Sequence, residues 1–377
     1  MLYKGMMLMK LAVKITSVLC TAVIAVSAVA VNVSAAKQSD WKSLYSDFLH
    51  EELKDDYDFA FSIFDIDGNG TPELILSPGN VHLSQCGIYT VSDGKLTLVD
   101  NEVGSNGICF CVPAKHYVIS SYMGMGAMSE SYFTLGGSTL TPAVSFYNDE
   151  YAVKDGDPEY TINDKKVTAE EYEKEYEKYH SPDEICLGRT YPLSNSSIEY
   201  AVNGVKNYKQ GYAALLRDVY TKNEGYSSVF SLMDITGDNI PELFVRSNVT
   251  TDIYTFADGR VQYMHSEYLY LMSYDSVKYS YGYSSDKKML VIRAYSEKDS
   301  ARSYTFLKYG KNGLTEQADI RCSYNADGEY VYQVNGKEVT KSGYKKALKK
   351  YSSIKFRYIS DKKIYSVKES VIKKILA

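Results

Sequence analysis

Apolar residues recur with two different periods along the chain, and each period predicts one kind of secondary structure. Residues 41–49 follow the i, i+3, i+4 spacing of an amphipathic helix with Asp40 as its N-cap, and residues 208–220 repeat that spacing. Short apolar runs such as "FAFSIF", "ELILS", "SVFSLM" and "ELFVRS" indicate strands, while "SDG" and "ADG" indicate tight hairpin turns. The pattern predicts a mainly antiparallel β fold with flanking helices, of the α+β class.

The same order of predicted elements occurs twice. "YSSVFSLMDITGDNIPELFV" at 226–245 matches "YDFAFSIFDIDGNGTPELIL" at 57–76, and "DIYTFADGRVQYM" matches "GIYTVSDGKLTLV". Each copy closes with a charged helix that begins at a threonine able to cap it, Thr168 or Thr340. We therefore predict two tandem homologous domains, residues 36–204 and 205–377, built on a repeat of about 165–170 residues.

The first 35 residues are predicted to be a signal peptide. Lys4, Lys10 and Lys14 precede a long apolar stretch, and "VSAAK" offers small residues for cleavage after Ala35 or Ala36. The alternative is an uncleaved anchor, because the apolar stretch is long enough to cross a bilayer. No second long apolar segment follows, so we expect a secreted protein without a membrane span after cleavage. The long signal is typical of a Gram-positive bacterium.

Charge and cysteine content narrow the possible partners. The formal charge is −5, and removal of three lysines with the signal peptide brings it to −8, which disfavours nucleic acid as a partner. Five cysteines would remain, an odd number that does not indicate a disulfide framework. We expect them to be small buried hydrophobic residues, with one bridge as an option.

The acids of residues 65–73 and 234–242 form two candidate metal-binding loops. Numbered from the first aspartate, side-chain oxygens fall at positions 1, 3, 5 and 9, and position 7 can offer its backbone carbonyl. The candidate ligands are Asp65, Asp67, Asn69, Thr71 and Glu73 in the first loop, and Asp234, Thr236, Asp238, Ile240 and Glu242 in the second. Three carboxylates crowded into nine residues repel one another unless a cation lies between them. Calcium accepts six to eight oxygens in a tolerant geometry, so we predict structural calcium rather than magnesium.

The flanking sequence distinguishes these loops from EF-hands. Position 12, where an EF-hand needs a bidentate glutamate, is Leu76 or Val245 in a strand-like run. The pattern instead resembles the calcium hairpins of FG-GAP or VCBS-type repeats, as in integrin α-subunit propellers, which read D-x-D-x-D-G-x-x-D. This resemblance implies a calcium-binding β-hairpin, with a propeller-like arrangement as an alternative fold. Asn239 replaces the glycine of the pattern, and asparagine tolerates the positive φ required there.

An alternative without metal remains for both loops. Aspartate and asparagine side chains can hold an acid-rich turn by accepting hydrogen bonds from backbone N–H groups two residues further on. On this alternative the acid-rich turn forms without any metal.

The remaining residues offer no catalytic motif. The five histidines are not at metal-ligand spacing, and no nucleophile elbow or P-loop is present. Among 37 tyrosines, one row on a predicted strand face (Tyr279, Tyr281, Tyr283) and a second row (Tyr268, Tyr270) could stack on sugars if exposed. Cross-strand packing inside the sheet is the favoured alternative.

These observations predict a secreted, non-catalytic, calcium-binding protein that acts as an extracellular or cell-surface binding module. Its partner would be an extracellular protein or a polysaccharide. One alternative is an extracellular hydrolase of glycans or peptides, because scattered acids could meet in space as a glycosidase pair. The other is a carbohydrate- or cell-wall-binding module that uses its tyrosines.

Overall fold

A computed structural model of the protein describes most of the chain after the predicted signal peptide. The described residues are 41–54, 58–79, 83–124, 127–149, 159–181, 184–221, 228–247, 250–268, 277–296, 301–310, 313–325 and 328–377. The predicted signal peptide and the predicted N-cap Asp40 lie outside these ranges. We call residues 41–204 the first half and residues 205–377 the second half.

The first half combines short strands with three α-helices among its described residues. Its elements are α1 Trp41–Glu52, β1 Ala60–Phe64, β2 Glu73–Ser77, β3 Cys86–Ser92, β4 Lys95–Val103, β5 Cys109–Val112, β6 Tyr117–Gly124, β7 Ala127–Gly136, β8 Thr139–Asp149, β9 Glu159–Ile162, β10 Lys165–Lys166, α2 Ala169–Tyr179, β11 Ile185–Leu187, β12 Tyr191–Pro192 and α3 Asn195–Ile198. A 3₁₀ turn covers Pro113–Lys115, and a π-helical segment, Glu199–Asn203, continues α3.

The second half repeats this order of elements. They are α4 Tyr208–Leu215, β13 Val229–Met233, β14 Glu242–Arg246, β15 Thr250–Ala257, β16 Arg260–Tyr268, β17 Val277–Ser284, β18 Met289–Ser296, β19 Arg302–Gly310, β20 Gly313–Tyr324, β21 Tyr330–Val334, β22 Lys337–Val339, α5 Lys341–Tyr351, β23 Arg357–Tyr358, β24 Tyr365–Ser366 and α6 Glu369–Leu376. A π-helical segment, Leu216–Tyr220, continues α4, and a 3₁₀ turn covers Asp361–Lys363.

Each half contains a five-stranded and a seven-stranded antiparallel sheet in its described residues. The orders β12-β1-β2-β3-β4 and β10-β9-β8-β7-β6-β5-β11 in the first half correspond to β24-β13-β14-β15-β16 and β22-β21-β20-β19-β18-β17-β23 in the second. The predicted class, mainly antiparallel β with helices, is confirmed. The propeller-like alternative is not confirmed, because these sheets are open and a propeller blade has four strands.

The helices begin where local sequence signals place them. The Thr168 side chain accepts the Glu171 N–H, and the Glu171 carboxylate accepts the Thr168 N–H, so α2 starts with a capping box. Thr340 caps α5 by accepting the Gly343 N–H. Both predicted threonine caps are confirmed. None of the helices in the described residues is long and apolar enough to cross a membrane.

A single hydrophobic cluster contains buried residues from both halves. It joins side chains of the first half, such as Tyr45 and Phe61, to side chains of the second half, such as Tyr212 and Leu243. Polar contacts cross the same boundary: the Tyr191 hydroxyl donates to the Val261 carbonyl at 3.5 Å, and the Arg260 guanidinium lies 4.5 Å from the centre of the Trp41 ring. Each half therefore buries apolar surface against the other.

Separation of the halves should lower stability, because each would expose apolar side chains that the other half now covers. We expect residues 36–204 and 205–377, produced separately, to melt at lower temperature than residues 36–377, and a mixture of the two to recover part of the difference. Calorimetry of the three samples measures this. Two separate halves that each melt cooperatively at the temperature of the intact chain would contradict it.

Candidate metal site in the acidic loops

The first acidic loop connects β1 to β2, and its acids converge. Phe64 pairs with Glu73 at the base of this hairpin. Asp65, Asp67 and Glu73 each place a carboxylate oxygen within 4.8 Å of the other two. In the part of the chain that the structure describes, no other group of three acids, histidines or cysteines meets this spacing. Three of the predicted ligands are thus brought together.

The Glu73 side chain is buried and hydrogen-bonded on both oxygens. Its exposed fraction is 0%. Oε2 accepts the Ile66 N–H at 2.9 Å, and Oε1 accepts the Thr90 hydroxyl at 3.3 Å. Burial, with a smaller contribution from the charges of Asp67 and Asp65, raises the pKa of Glu73 to about 8 even though these hydrogen bonds act in the opposite direction. Each oxygen keeps a second lone pair, so the carboxylate can hold the loop and still face a cation.

Asp65 carries the clearest sign of a missing partner. Its Oδ2 accepts the Gly70 N–H at 3.0 Å, whereas its Oδ1 is buried and has no hydrogen-bond partner in the described structure. A buried carboxylate oxygen without a partner is costly, and a cation in contact with it would remove that cost. The donor set of the first loop, which is made entirely of oxygens, therefore fits calcium.

Asp67 and Asn69 also form the turn that the metal-free alternative predicts. The Asp67 carboxylate accepts the Asn69 N–H at 3.1 Å and the Asn69 side-chain amide at 3.0 Å. The Asn69 side-chain oxygen accepts the Thr71 N–H at 2.6 Å. These bonds shape the loop, but they leave Asp65 Oδ1 without a partner, so they do not account for the whole arrangement of acids.

The second loop repeats the buried glutamate. Glu242 has an exposed fraction of 0%; its Oε2 accepts the Ile235 N–H at 2.7 Å, and its Oε1 accepts the Thr255 hydroxyl at 3.0 Å. Burial raises the pKa of Glu242 to about 7, with hydrogen bonds acting in the opposite direction. Thr236, at position 3, donates its hydroxyl to Glu242 at 3.4 Å, where the first loop has a second aspartate.

The aspartates of the second loop are better satisfied than those of the first. Asp234 accepts the Gly237 N–H at 2.7 Å on one oxygen and the Asn239 N–H at 3.1 Å on the other. Asp238 accepts the Ile240 N–H at 2.8 Å. Backbone N–H groups thus already supply contacts to the carboxylate oxygens that a cation would otherwise supply. Metal binding by this loop stays a prediction.

Asn239 takes the backbone conformation predicted for it. Its φ is +70°, against +89° for Gly70 at the same position of the first loop. Asparagine enters this left-handed region more readily than other residues with a Cβ atom. The two loops therefore follow similar paths despite the substitution.

Residues outside the loops, which were not predicted from the sequence, hold them in place. Thr90 on β3 and Thr255 on β15 each donate to the buried glutamate, and the signal was present as "IYT" in both copies. Tyr45 on α1 donates its hydroxyl to the Pro72 carbonyl at 2.7 Å, so the first helix also fixes the end of the loop.

The tyrosine row on β17 faces the interior. Tyr281 and Tyr283 are buried, and Tyr281 shares a hydrogen bond of 3.0 Å with the hydroxyl of Thr251. Tyr279 is partly buried beneath the Arg246 guanidinium, 4.6 Å from its ring centre. Tyr281 packs on Phe244 of the five-stranded sheet, at 5.3 Å between ring centres, so the row packs between the two sheets and does not offer a surface for sugars. The side chain of Tyr268 and the whole of Tyr270 lie outside the described residues.

Comparisons with known proteins do not assign the chain to a family. No family model matches it, and no curated protein matches it. A crystal structure of a protein from Lactobacillus plantarum, solved as a structural-genomics target, is aligned over 75% of this chain and 82% of its own, at 9% identity and a TM-score of 0.16. A likeness this weak carries no argument about fold or function.

The buried glutamates should make the metal-free protein less stable as pH rises. Because the folded-state pKa values of Glu73 and Glu242 lie above the ordinary value of 4.5, the folded state holds protons that the unfolded state has released. In chelator, we therefore expect the free energy of unfolding to fall as pH rises from about 4.5 to about 8. Denaturant titrations across this range measure the slope.

A double Glu73→Gln, Glu242→Gln variant should show a flatter dependence on pH in the same titrations, while Glu173→Gln, at an exposed position of α2, should keep the original slope. Equal slopes for the original protein and the double variant would contradict the assignment of this dependence to the two glutamates.

Proposed function

We propose that this chain is a secreted, non-catalytic calcium-binding protein that acts as an extracellular or cell-surface binding module, with calcium in a structural role. One observation carries the calcium proposal: Asp65, whose buried Oδ1 has no hydrogen-bond partner, belongs to a group of three acids whose carboxylates approach within 4.8 Å of one another. The partner would be an extracellular protein or a polysaccharide.

In the first loop the proposed ligands are the side-chain oxygens of Asp65, Asp67, Asn69 and Glu73 and the carbonyl of Thr71. The second loop would use Asp234, Thr236, Asp238 and Glu242 with the carbonyl of Ile240. Hard oxygen donors on a short flexible loop suit calcium, which tolerates irregular geometry, better than magnesium, which demands an octahedron and keeps its waters. The second loop would bind more weakly, because backbone donors already satisfy both oxygens of Asp234.

A structural role follows from where the proposed ligands lie. Those of the first loop lie in the β1–β2 connection and at the first residue of β2, Glu73, which extends the contact to β3 through Thr90. A bound cation would thus fasten three adjacent strands of the five-stranded sheet. Extracellular modules commonly bind calcium with a Kd of about 10⁻⁴–10⁻³ M, which suits an environment with millimolar free calcium.

Calcium should raise the melting temperature, because it binds the folded loop and not the unfolded chain. At a calcium concentration 100 times the Kd the gain is about 2.7 kcal/mol, or several degrees for a chain of this size. We expect Asp65→Asn to remove most of this shift and Asp234→Asn to remove less. Thermal melts in calcium and in chelator measure it.

Asp93→Asn is the matched control, since Asp93 is an exposed aspartate in the β3–β4 turn outside the loops, and its variant should keep the full calcium shift. An unchanged melting temperature with calcium, together with neutral Asp65→Asn and Asp234→Asn variants, would overturn the calcium proposal. Isothermal titration with calcium gives the number of sites independently of stability.

A second candidate function, carbohydrate or cell-wall binding through aromatic side chains, is favoured by a cleft in the second half. This cleft has a volume of about 240 Å³ and lies between α5, the β23 segment and the seven-stranded sheet. Its lining residues are Val291, Arg293, Tyr304, Phe306, Leu348, Tyr351, Ser352, Ile354, Phe356 and Tyr358.

The cleft combines stacked rings with a cation. Phe306 and Tyr351 stack at 3.9 Å between ring centres, and the Arg293 guanidinium lies 5.5 Å from the Tyr304 ring and 5.3 Å from the Tyr358 ring. Aromatic faces and a guanidinium are able to contact the apolar faces and the hydroxyl or carboxylate groups of sugars. The remaining alternative, an extracellular hydrolase, stays a prediction.

Retention on insoluble polysaccharides and isolated cell walls tests the second candidate. Tyr358 is 41% exposed in the cleft, so Tyr358→Ala should weaken binding about two- to twelvefold if its ring contributes about 0.5–1.5 kcal/mol. Tyr330→Ala is the matched control, because Tyr330 is 49% exposed and lies outside the cleft. No retention of the original protein, or equal losses for both variants, would exclude this cleft.

A further inference from the structure

Four cysteines of the first half lie close together where its two sheets approach each other. Cys86 is on β3 of the five-stranded sheet, whereas Cys109 and Cys111 on β5 and Cys186 on β11 belong to the seven-stranded sheet. Cys86, Cys109 and Cys111 are fully buried and share one hydrophobic cluster. Cys86 and Cys109 are both free thiols in this structure, and strand pairing brings them to the same place: Cys86 pairs with Val103, the neighbour of Gly104, and Cys109 pairs with Leu187, the neighbour of Gly188.

The backbone around this pair is closely packed and fixed. The Gly107 N–H donates to the Ser84 carbonyl at 2.8 Å, which ties the segments that precede β3 and β5. A Cβ atom added at Gly188 would lie only 2.9 Å from the Cys86 sulfur, and one added at Gly104 only 3.1 Å from the Cys109 Cβ. Each cysteine is thus packed against the backbone beside the pairing partner of the other, which brings both side chains to one place between the sheets.

The arrangement is a pair of thiols and not a zinc site. Zinc with sulfur ligands at about 2.3 Å brings its sulfurs within about 4 Å of one another. No three of the described cysteines place their sulfur atoms within 4.8 Å of each other. Cys109 and Cys111 are two residues apart on one strand, which separates their side chains by about 6.6 Å along it. Cys111 is therefore not part of the pair formed by Cys86 and Cys109.

The second half has a different pair at the corresponding positions. The sequence match of "GIYT" with "DIYT" aligns Cys86 with Thr251. Strand pairing gives the second correspondence. Phe110 pairs with Cys186 in the first half, and Gly282 pairs with Tyr358 in the second. The residues just before Phe110 and Gly282, which are Cys109 and Tyr281, therefore occupy the same position. Thr251 and Tyr281 are joined by a hydrogen bond of 3.0 Å between their hydroxyls. In the second half, side chains therefore join the two sheets at the point where the first half places Cys86 and Cys109.

We propose that Cys86 and Cys109 form a disulfide bond in the exported protein, so that a covalent link does in the first half what the Thr251–Tyr281 hydrogen bond does in the second. The link rests on the proposed export and not on calcium. An oxidising compartment is where such bonds form and persist.

The oxidant would be a disulfide, carried by an extracytoplasmic oxidoreductase or a small molecule. One cysteine thiolate attacks the oxidant disulfide and releases the first thiol, and the second cysteine thiolate then attacks the mixed disulfide and releases the second. Two protons and two electrons leave the protein, and the oxidant becomes two thiols. Both cysteines are inaccessible once folded, and the neighbouring Cys86 thiol together with burial raises the pKa of Cys109, so the exchange belongs to the folding chain.

Refolding residues 36–377 in a glutathione redox buffer and, separately, in dithiothreitol tests the proposal. After alkylation in denaturant, chymotrypsin cleaves at Phe110 and so separates Cys109 from Cys111 for mass spectrometry. We expect Cys86 and Cys109 peptides to be joined only in the oxidised sample, with Cys111, Cys186 and Cys322 alkylated. The oxidised protein should melt about 5–10 °C above the reduced one.

Variants make the result specific. Cys86→Ser, or Cys86→Ala if serine prevents folding, should abolish the difference in melting temperature between the two redox conditions, while Cys111→Ser should keep it. Full alkylation of Cys86 and Cys109 in the oxidised folded protein, or a link between another pair, would overturn the proposal. All samples contain chelator, so the result does not depend on the calcium proposal. Export is tested separately by alkylating the protein in culture medium and mapping its cysteines in the same way.

Discussion

A glutamate carboxylate buried at the first position of a strand holds the acidic loop in each half. Glu73 and Glu242 accept the N–H of the buried isoleucine at position 2, and each also accepts a threonine hydroxyl from the next strand. A charged group that is removed from water must be compensated by hydrogen bonds or by an opposite charge. These hydrogen bonds to the glutamate fix the path of the loop and the positions of its other acids. They also link adjacent strands of the sheet.

The two halves stabilise their buried acids in different ways. In the first loop, Asp67 at position 3 adds charge, and Asp65 keeps one oxygen without a partner. In the second loop a threonine at position 3 donates a hydrogen bond to the glutamate, and backbone N–H groups satisfy Asp234. A cation would therefore stabilise the first loop more, because of Asp67 against Thr236 at position 3 and because Asp65 has one fewer backbone donor than Asp234.

Hydrophobic burial links these loops to the rest of the chain. The isoleucine at position 2 is fully buried in both copies, Ile66 in the cluster that both halves share and Ile235 in a cluster under the second seven-stranded sheet. Tyr45 connects the first helix to the end of the first loop. The position of the loop is thus coupled to the position of α1 through a few packed side chains. This is consistent with a structural role for a bound ion.

The sequence by itself determined the features that arise within about ten residues: the strand–loop–strand pattern around each group of acids, the threonine caps of α2 and α5, and the positive φ of Asn239. These depend on short-range sterics and local hydrogen bonds, so periodicity and residue type suffice to predict them. Tertiary structure alone decided that Thr90 holds Glu73, that one oxygen of Asp65 lacks a partner where both of Asp234 have one, that both halves share a core, and that Cys86 and Cys109 come to one place from different sheets. Each of these depends on which distant segments pack together, and local patterns along one chain do not contain that information.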